Sequence, residues 1–558
     1  MKRTNIILTL AIIASLLAPS LRAEIKLPQV LSSGMVVQRD APVELWGKAD
    51  AGQAICVRIA NAKGKAVGDK VGYYTVANEQ GDWQISLPKL RAGGPYTIKI
   101  NDISLTDVLS GDVFFCSGQS NMELPVSRVT DMFADEVAQY SNPNVRHFNV
   151  PNKFEFNTPM TDVKATAWKP TTPQTAMNFS ALGYFFGNDL NARTGVPVGI
   201  IRSCWGGTPV EAWISDEAIQ PFPLAVNEKK VYNDAEYRDA IKRLEGQNYA
   251  HWNAALYAGD PGVSGNLKWY AADFDDSAWQ PVDIFTGTLA DGSKMGNDGM
   301  NAIPGSHWFR KDFELSPEQA ANDAILRMGC IIDADSVYVN GTFVGSTGYQ
   351  YPPRIYKVPA KVLKEGKNNV TVRVITSGGA PKFVAEKPYE LRTPAGTVEL
   401  KEGWRYRLGT PMPNGPGMQF WCYKPTVLYN AMVNPFIKLP VAGTVWYQGE
   451  SNVTRRNEYG PLLTAMIKDW RAKFGQPEMP FYIVELAEYL HPSNQQGRKA
   501  WAEMRQIQAH VADVTPNAYL IKNEDLGEWN DIHPLNKKTL GQRVADAVIG
   551  HDMMKKNK

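Results

Sequence analysis

Residues 24–107 alternate apolar and polar side chains in short runs that turn residues separate. Met35-Val36-Val37-Gln38, Ile55-Cys56-Val57-Arg58-Ile59 and Tyr96-Thr97-Ile98-Lys99-Ile100 show the pattern. Alternation with period two is typical of strands that bury one face, and short strands at this spacing favour two packed sheets. Residues 24–107 are therefore predicted to form an N-terminal β-sandwich, with a packing or positioning role.

Beyond Leu109 the pattern changes to continuous apolar runs separated by helical stretches. Such runs are typical of buried strands in an α/β sheet. The predicted strands are Val113–Cys116, Val196–Ile201, Val441–Tyr447, Phe481–Leu486 and Ala518–Ile521. Helices are predicted at Arg128–Tyr140, Tyr459–Lys473 and Trp501–Val511, and a last one buries Leu540, Val544 and Val548.

A second all-β composition interrupts this α/β pattern between about 245 and 403. Asn340-Gly341 lies between two alternating runs there, which is a strong hairpin signal. The segment resembles the galactose-binding-like jelly rolls of many glycan hydrolases. It is expected either to bind sugar or only to pack against the catalytic domain.

Residues 1–23 have the layout of an export signal, with Lys2 and Arg3 before an apolar core. The predicted organisation is a signal peptide (1–23), the β-sandwich (24–107), a catalytic α/β domain in two parts (108–245 and 404–558) and the inserted β domain (246–403). The protein is expected to be exported, periplasmic or extracellular, and the signal ends without a cysteine for a lipid anchor.

Charge and cysteine usage narrow the classes of partner. The formal net charge is +2, and removing Lys2, Arg3 and Arg22 brings it to about −1. A near-neutral chain without basic clusters argues against nucleic acid and anionic membranes as partners. The five cysteines are scattered and odd in number, so neither a disulfide framework nor a metal cluster is predicted.

The predicted strand at Val113 ends in Ser117-Gly118-Gln119-Ser120-Asn121. Ligands of α/β sheets bind just beyond the carboxyl ends of the strands, so Ser120 lies where a nucleophile is useful. Taken alone, a serine at this position more commonly N-caps the following helix. The residues at the other strand ends favour the nucleophile over the N-cap interpretation of Ser120.

His533 precedes the last helix, in the loop Asn523–Pro534. A serine hydroxyl needs a base to take its proton, and histidine is the usual one near neutral pH. A carboxylate that accepts the other ring N–H fixes the tautomer. Asp531 is the preferred candidate, and Asp525 and Glu450 stay open because spacing alone does not settle the geometry.

Attack on an ester also requires hydrogen-bond donors for the developing oxyanion. The candidates are the backbone N–H of Ser120, the backbone N–H of Gly206 or Gly207, and the side-chain amide of Gln448. All lie at predicted strand ends of the α/β domain.

These blocks together resemble the SGNH hydrolases, and more closely their sialate O-acetylesterase-like branch. The blocks are Ser-Gly-Gln-Ser-Asn-Met at 117–122, Gly-Gly-Thr-Pro-Val-Glu-Ala-Trp at 206–213, Trp-Tyr-Gln-Gly-Glu-Ser-Asn at 446–452 and Asp-Ile-His-Pro at 531–534. Two features depart from the wider superfamily. Gln448-Gly449-Glu450 replaces a block with Asn after Gly, and Asn530 occupies the usual position of the acid.

The resemblance implies a three-layer α/β/α catalytic domain that removes acetyl groups from sugar hydroxyls without a metal or other cofactor. It implies Ser120 as nucleophile, His533 as base and Gly206-Gly207 in the glycine block. Candidate substrate-binding residues are Asn121, Glu450, Asn452 and Arg505, and Arg505 or Arg128 is a candidate partner for a sialate carboxylate.

The predicted function is a serine esterase that forms an acyl-enzyme, with 9-O-acetyl sialic acid as the first substrate candidate. An acetyl esterase acting on xylan or another plant polysaccharide is the alternative within the same chemistry. A non-catalytic glycan-binding protein is the alternative from another class, suggested by the β modules and the 15 Trp and 23 Tyr.

Overall fold

A computed structural model describes residues 24–68 and 70–556 and divides the chain into two compact units. Of the described residues, the first unit contains those up to Asn233 and from Trp421 onwards, and the second is Asp234–Phe420. The expected signal peptide, residues 1–23, lies outside the described residues. Among the residues described, no helix is both long and apolar enough to cross a membrane.

The first unit is built on a sheet of parallel strands with an antiparallel strand at one edge. From edge to edge the order is Ala518–Ile521, Phe481–Val484, Gly443–Tyr447, Ile103–Gly118, Val198–Cys204, Asn142–Asn149 and Trp168–Thr171. Ile103–Gly118, here called the central strand, is flanked by a strand from each part of the divided domain. The strands before and after the inserted unit lie on opposite sides of the central strand, so the order of the strands changes direction here, which is where α/β sheets bind their ligands.

Helices cover both faces of this sheet. Ala181–Thr194 and Lys537–Lys556 pack on the face that buries Phe114, and Leu540, Val544 and Val548 form the predicted buried stripe. Arg456–Lys473 and Gln495–Val514 pack on the face that buries Phe115. Successive strand residues point to opposite faces, so both faces of the central strand are apolar and the result is an α/β/α arrangement.

The other helical segments of the first unit are shorter. They are Ser120–Glu123, Val126–Arg128, Thr130–Gln139, Pro173–Ala176, Val210–Trp213, Asp216–Ile219, Pro223–Asn233, Trp421–Tyr423, Tyr429–Val433, Asn434–Phe436, Glu450–Arg455 and Glu524–Leu526.

The N-terminal strands are Val36–Gln38, Val43–Lys48, Ala54–Ala60, Tyr73–Val76, Asp82–Leu87 and Gly93–Ile100. Val43–Lys48 pairs with Asp82–Leu87, and Ala54–Ala60 lies between Tyr73–Val76 and Gly93–Ile100. Gly93–Ile100 in turn pairs with the first part of the central strand. The central strand therefore crosses position 107, where the sequence predicts a domain boundary.

The second unit contains sheets and a long helix. Its strands are Gln280–Asp283, Thr288–Leu289, Gly305–Leu315, Ala324–Met328, Ile331–Ile332, Ala334–Val339, Thr342–Thr347, Ile355–Val358, Gly366–Thr376, Lys382–Phe383, Tyr389–Thr393, Gly396–Glu399 and Trp404–Pro411. Its helical segments are Ala235–Gly259, Pro261–Ser264, Pro317–Ala320 and Ala360–Val362. The predicted hairpin is confirmed, with Asn340 and Gly341 at positive φ between two paired strands.

The second unit extends beyond the predicted insertion, 246–403, at both ends. Ala235–Gly259 belongs to it because Asp260, which follows this helix, accepts hydrogen bonds from Trp308 and Arg373. Trp404–Pro411 belongs to it because this strand pairs with Gly305–Leu315. A helix has no β composition, so the sequence pattern does not reveal that it is part of this unit.

All five cysteines are free thiols, and Cys116 and Cys204 are buried in strands. Burial raises the pKa of the Cys204 thiol to about 12 and that of Cys116 further. These thiols are therefore protonated at physiological pH and serve as core residues.

Gly118 ends the central strand at a φ of +136°, where a Cβ would lie 2.0 Å from the carbonyl oxygen of Tyr447. Gly118→Ala is therefore expected to destabilise the protein by about 3 kcal/mol or more, through backbone strain and displacement of the neighbouring strand. Urea unfolding measures the change. Gly195→Ala is the matched control, since Gly195 also has positive φ but open space around it, and it should lose about 1 kcal/mol. Equal losses in the two variants would contradict the steric argument.

Candidate active site

Ser120 lies two residues beyond the central strand, as the first residue of the short helix Ser120–Glu123. Gln119 occupies the N-cap position, and its side chain makes no capping hydrogen bond. The N-cap alternative for Ser120 is therefore wrong. Ser120 is half-buried, and its N–H belongs to the first turn, where no preceding turn supplies an acceptor.

A hydrogen bond joins the turn of Ser120 to the loop of His533. The Asn121 side-chain amide donates through Nδ2 to the carbonyl oxygen of Ile532, at 2.8 Å. The residue after the predicted nucleophile thus contacts the residue before the predicted base. His533 itself is 7% exposed.

Asp531 lies beside His533, but it contacts the backbone more closely than the ring. Its Oδ1 is 3.9 Å from His533 Nδ1, which exceeds hydrogen-bonding distance, and it accepts the backbone N–H of His533 at 2.9 Å. An aspartate readily binds the N–H two residues on, and this local turn competes with the ring for the carboxylate. The predicted ring hydrogen bond is not formed at this distance.

The two alternative acids have other partners. Asp525 forms a two-point ion pair with Arg543, with both N–O distances 2.6 Å. Glu450 Oε1 accepts from Asn121 Nδ2 at 2.6 Å. Of the three acids, Asp531 is the one with a carboxylate oxygen recorded within 4 Å of a ring nitrogen of His533, at 3.9 Å.

Some of the predicted oxyanion donors already make hydrogen bonds within the protein, and Gly206 is one of them. Its N–H donates to Glu123 Oε2 at 2.6 Å, so it is not free for an oxyanion. A Cβ on Gly206 would come within 3.3 Å of Ser120 Cβ, which explains the glycine as a close neighbour of the serine. Gly207 has a φ of +77°, and a Cβ there would strike the hydroxyl of Tyr423.

Gln448, another predicted oxyanion donor, is also engaged within the protein, so its role stays a prediction. It is wholly buried, and its Nε2 donates to Asn452 Oδ1 at 2.8 Å and to the Thr208 carbonyl at 3.2 Å. Both amide hydrogens are therefore used inside the protein, where they tie two strand-end loops together. The backbone N–H groups of Ser120 and Gly207 are left from the predicted set.

The candidate substrate-binding residues have structural partners. Asn452 is wholly buried and bonds Val210, Gln448 and Glu211. Asn121 is 2% exposed, with its amide bonded at both ends. Both amides are buried and bonded within the protein, so a substrate-binding role for these two residues stays a prediction.

Arg505 and Glu450 are engaged as well. Arg505 pairs with Glu524 at 2.5 Å and lies 3.6 Å from Glu488, so its charge is compensated within the protein. Its assignment as an anchor for a substrate carboxylate stays a prediction. Glu450 has a buried carboxylate whose Oε1 bonds Asn121, so it supports the nucleophile turn, and its role in substrate binding stays a prediction.

Two residues near the site have roles that the sequence did not predict. Gln119 Oε1 accepts the Ser451 N–H at 3.2 Å, which joins the nucleophile turn to the loop after Gly443–Tyr447. Lys537 is 1% exposed and donates to Asn121 Oδ1 at 2.8 Å. Its position four residues after His533 was the available signal, but a lysine at the start of a helix usually lies in solvent.

Burial and charge shift the pKa values of this cluster. Burial, together with the positive charges of Lys537 and Arg128, lowers the pKa of His533 to about 3. Burial lowers the pKa of Lys537 to about 7, although Glu450 and two other carboxylates raise it. Burial also raises the pKa of Glu450, against the hydrogen bond from Asn121. His533 is thus a neutral imidazole over most of the pH range, which a general base requires.

The residues that the structure describes contain no group of side chains suited to bind a metal ion. Nowhere in 24–68 and 70–556 do three or more His, Cys, Asp or Glu side chains form a group that could hold a metal ion. The expectation of a reaction without metal or cofactor stays a prediction.

Comparison with known proteins links this geometry to a family. A family described as "carbohydrate esterase, sialic acid-specific acetylesterase" matches residues 110–258 and 413–550, about half of the chain. Sialate O-acetylesterases from Pongo abelii and Homo sapiens are 30% and 29% identical to it over 207 and 206 residues. Each match covers 34% of this chain and 39% of the relative, so the chain spans about two fifths of the length of these relatives.

A solved structure supports the fold. A carbohydrate acetylesterase from Xanthomonas citri superposes with a TM-score of 0.53 at 23% identity, covering 94% of this chain and 74% of the other. At this identity the likeness concerns the fold alone. The two segments matched by the family leave out 259–412, which lies within the second unit.

Proposed function

Since the chain belongs to the sialic acid-specific acetylesterase family of carbohydrate esterases, as its motifs predict, we propose that it is a serine esterase that removes O-acetyl groups from sugars. The observation that carries the proposal is the hydrogen bond from Asn121 Nδ2 to the Ile532 carbonyl, at 2.8 Å. It holds the turn of a half-buried serine against the loop of a buried, neutral histidine. A glycan-binding protein has no need of this arrangement.

The proposed reaction is a two-step acyl transfer. Ser120 Oγ attacks the acetyl carbonyl carbon while His533 takes the hydroxyl proton, and the oxyanion is held by the N–H groups of Ser120 and Gly207. The C–O bond to the sugar then breaks, and His533 gives its proton to the leaving sugar hydroxyl. Water, deprotonated by His533, attacks the acetyl-Ser120 ester and releases acetate.

Asp531 supports His533 in this reaction through charge and through the backbone. Its carboxylate lies 3.9 Å from Nδ1 and stabilises the imidazolium that forms when His533 takes the proton. Its hydrogen bond to the His533 N–H fixes the loop. Shortening of the Nδ1 distance in the reacting complex is expected, since catalytic hydrogen bonds tighten when substrate binds.

We propose 9-O-acetyl sialic acid as the first substrate, supported by the family description and by the names of the mammalian relatives. Acetylated xylan is the second candidate, because the residues around Ser120 and His533 act on the acetyl ester and do not distinguish one sugar from another. An exported location, an acetylated glycan as partner, and the sandwich and jelly-roll assignments of the two β regions stay predictions.

Acetate release from 9-O-acetyl sialic acid and from acetylated xylan, measured side by side, tests the proposal. We expect release from at least one ester, with sialic acid preferred. Preference for xylan would reassign the substrate while keeping the chemistry. No release from either by a protein with an intact circular dichroism spectrum would contradict the esterase proposal and favour glycan binding.

A further inference from the structure

Lys537 is a buried cation at a point where a helix disfavours positive charge. It is the first residue of Lys537–Lys556, and 1% of its surface is exposed. The positive end of a helix dipole lies at the N-terminus, and burial adds a desolvation penalty to any charge. Specific contacts must offset this cost.

The principal contact is a hydrogen bond to the residue that follows the nucleophile. Lys537 Nζ donates to Asn121 Oδ1 at 2.8 Å and lies 5.3 Å from the centre of the Tyr447 ring. The other end of the same amide, Asn121 Nδ2, donates to Glu450 Oε1 at 2.6 Å and to the Ile532 carbonyl at 2.8 Å. One buried side chain therefore connects Lys537, Glu450 and the His533 loop.

Lys537 determines which way round this amide lies. An asparagine side chain fits a site in either of two orientations, with oxygen and nitrogen exchanged. An ammonium group only donates, so it holds the amide oxygen and directs Nδ2 to the two acceptors. In the reverse orientation an oxygen would face the oxygens of Glu450 and Ile532, and the bond between the two loops would be lost.

We propose that Lys537 is a positioning residue of the esterase, which sets the Asn121 amide and thereby holds the His533 loop against the turn of Ser120. The inference rests on the proposed function, because it assumes that Ser120 and His533 act together. In this role Lys537 acts through Asn121 and is not itself a reacting group.

The charge of Lys537 has a second effect, on His533. Lys537 is faced by Glu450 from the loop after Gly443–Tyr447, and by Asp531 and Glu528 from the loop before its own helix. His533 is faced by Lys537 and by Arg128, and both lower its pKa. Removing the Lys537 charge therefore raises the pKa of His533, and a loss of packing alone does not produce that shift.

Lys537→Met is the direct test, and Lys538→Met is the matched control. Lys538 is the next residue of the same helix, and it pairs with Glu136 at the surface. For Lys537→Met we expect kcat to fall by about 10- to 100-fold with KM changed by less than about 3-fold, because the reacting groups are misplaced. The acidic limb of kcat/KM should move to higher pH. Lys538→Met should stay within about 2-fold of wild type in kcat.

A double variant keeps the inference testable if Lys537→Met fails to fold. Removing Lys537 leaves the buried Glu450 carboxylate without its cation, and Lys537→Met with Glu450→Gln removes both charges. We expect the double variant to regain the wild-type unfolding midpoint but not kcat, because no donor fixes Asn121 Oδ1. A double variant with wild-type kcat, or a folded Lys537→Met with the kcat of Lys538→Met, would overturn the inference.

A fluorophosphonate probe separates this inference from the proposed function. The probe reacts with an activated serine whatever the natural ester is, and the inference predicts that it labels Ser120 about 10-fold or more slowly in Lys537→Met than in wild type. Wild type that is labelled but releases no acetate contradicts the proposed function alone. Equal labelling rates in the two proteins contradict the role of Lys537.

Discussion

Ser120→Ala is expected to lower kcat for acetate release by about 10³-fold or more, while the protein keeps its fold. Ser120 Oγ is the atom that forms the acyl bond, and alanine leaves only water to attack a bound ester. A 10³-fold loss corresponds to about 4 kcal/mol of transition-state stabilisation. Ser120 is half-buried, and Gln119, not Ser120, occupies the N-cap position of the helix, so removing the hydroxyl leaves the helix start unchanged. Acetate release at saturating ester measures the loss of kcat, and the unfolding midpoint shows whether the fold is kept.

Ser117→Ala is the matched control for this experiment. Ser117 belongs to the same motif and is wholly buried, and its hydroxyl makes no hydrogen bond within the part of the chain that the structure describes. Its removal should leave kcat within about 2-fold and the fold intact, since a buried unsatisfied hydroxyl does not stabilise. A Ser120→Ala protein that keeps more than about a tenth of the wild-type rate would contradict the assignment of Ser120.

His533→Ala is expected to cause a loss of kcat of similar size, about 10³-fold. The imidazole takes the proton of Ser120 and returns it to the leaving sugar. Water at neutral pH removes that proton much less effectively than an imidazole held next to the hydroxyl. His510→Ala serves as control, because His510 is exposed on the helix Gln495–Val514. Steady-state acetate release decides the outcome, and a loss below 10-fold in His533→Ala would point to another base.

The pH profile of the wild type gives an independent test of His533. A general base works when neutral, at pH values above its pKa, so a lowered pKa extends activity toward acid. Burial, Lys537 and Arg128 lower the pKa of His533 to about 3, so the acidic limb of kcat/KM should lie below pH 5. An ordinary histidine would place it near pH 6.5. A limb between pH 6 and 7 would contradict the buried environment of the base.

The carboxyl end of the central strand could be predicted from the sequence, whereas its beginning could not. The apolar run from Val113 marks a strand buried on both faces, and the polar motif after it marks the end. The same strand begins at Ile103, and as far as Asp107 exposed residues are interspersed with buried ones. The change in period is a change in burial along one strand, although it resembles a domain boundary.

A position at a strand end does not determine whether a predicted oxyanion donor is free to bind an oxyanion. Gln448 and Gly206 lie at the predicted strand ends, yet Asn452 and Glu123 already accept their hydrogen bonds. Whether a donor is free depends on side chains that are distant in sequence. Position 123 is 83 residues from Gly206, and no local pattern connects them.

The surroundings of His533 could be predicted only in part. The Asp-Ile-His-Pro block identified the histidine, and it placed Asp531 in the same loop. It did not show that the local turn draws the carboxylate to the backbone, or that Lys537 is buried against the residue after Ser120. Helix periodicity marks Leu540, Val544 and Val548 as buried, and it carries no information about a lysine at the first residue of the helix.

Peptide mapping after reaction with a fluorophosphonate tests the central claim, that Ser120 is an activated nucleophile, most directly. We expect one stoichiometric adduct on the peptide that contains Ser120, absent in Ser120→Ala and strongly slowed in His533→Ala. An adduct on another serine, or labelling of Ser120 at an equal rate without His533, would contradict it.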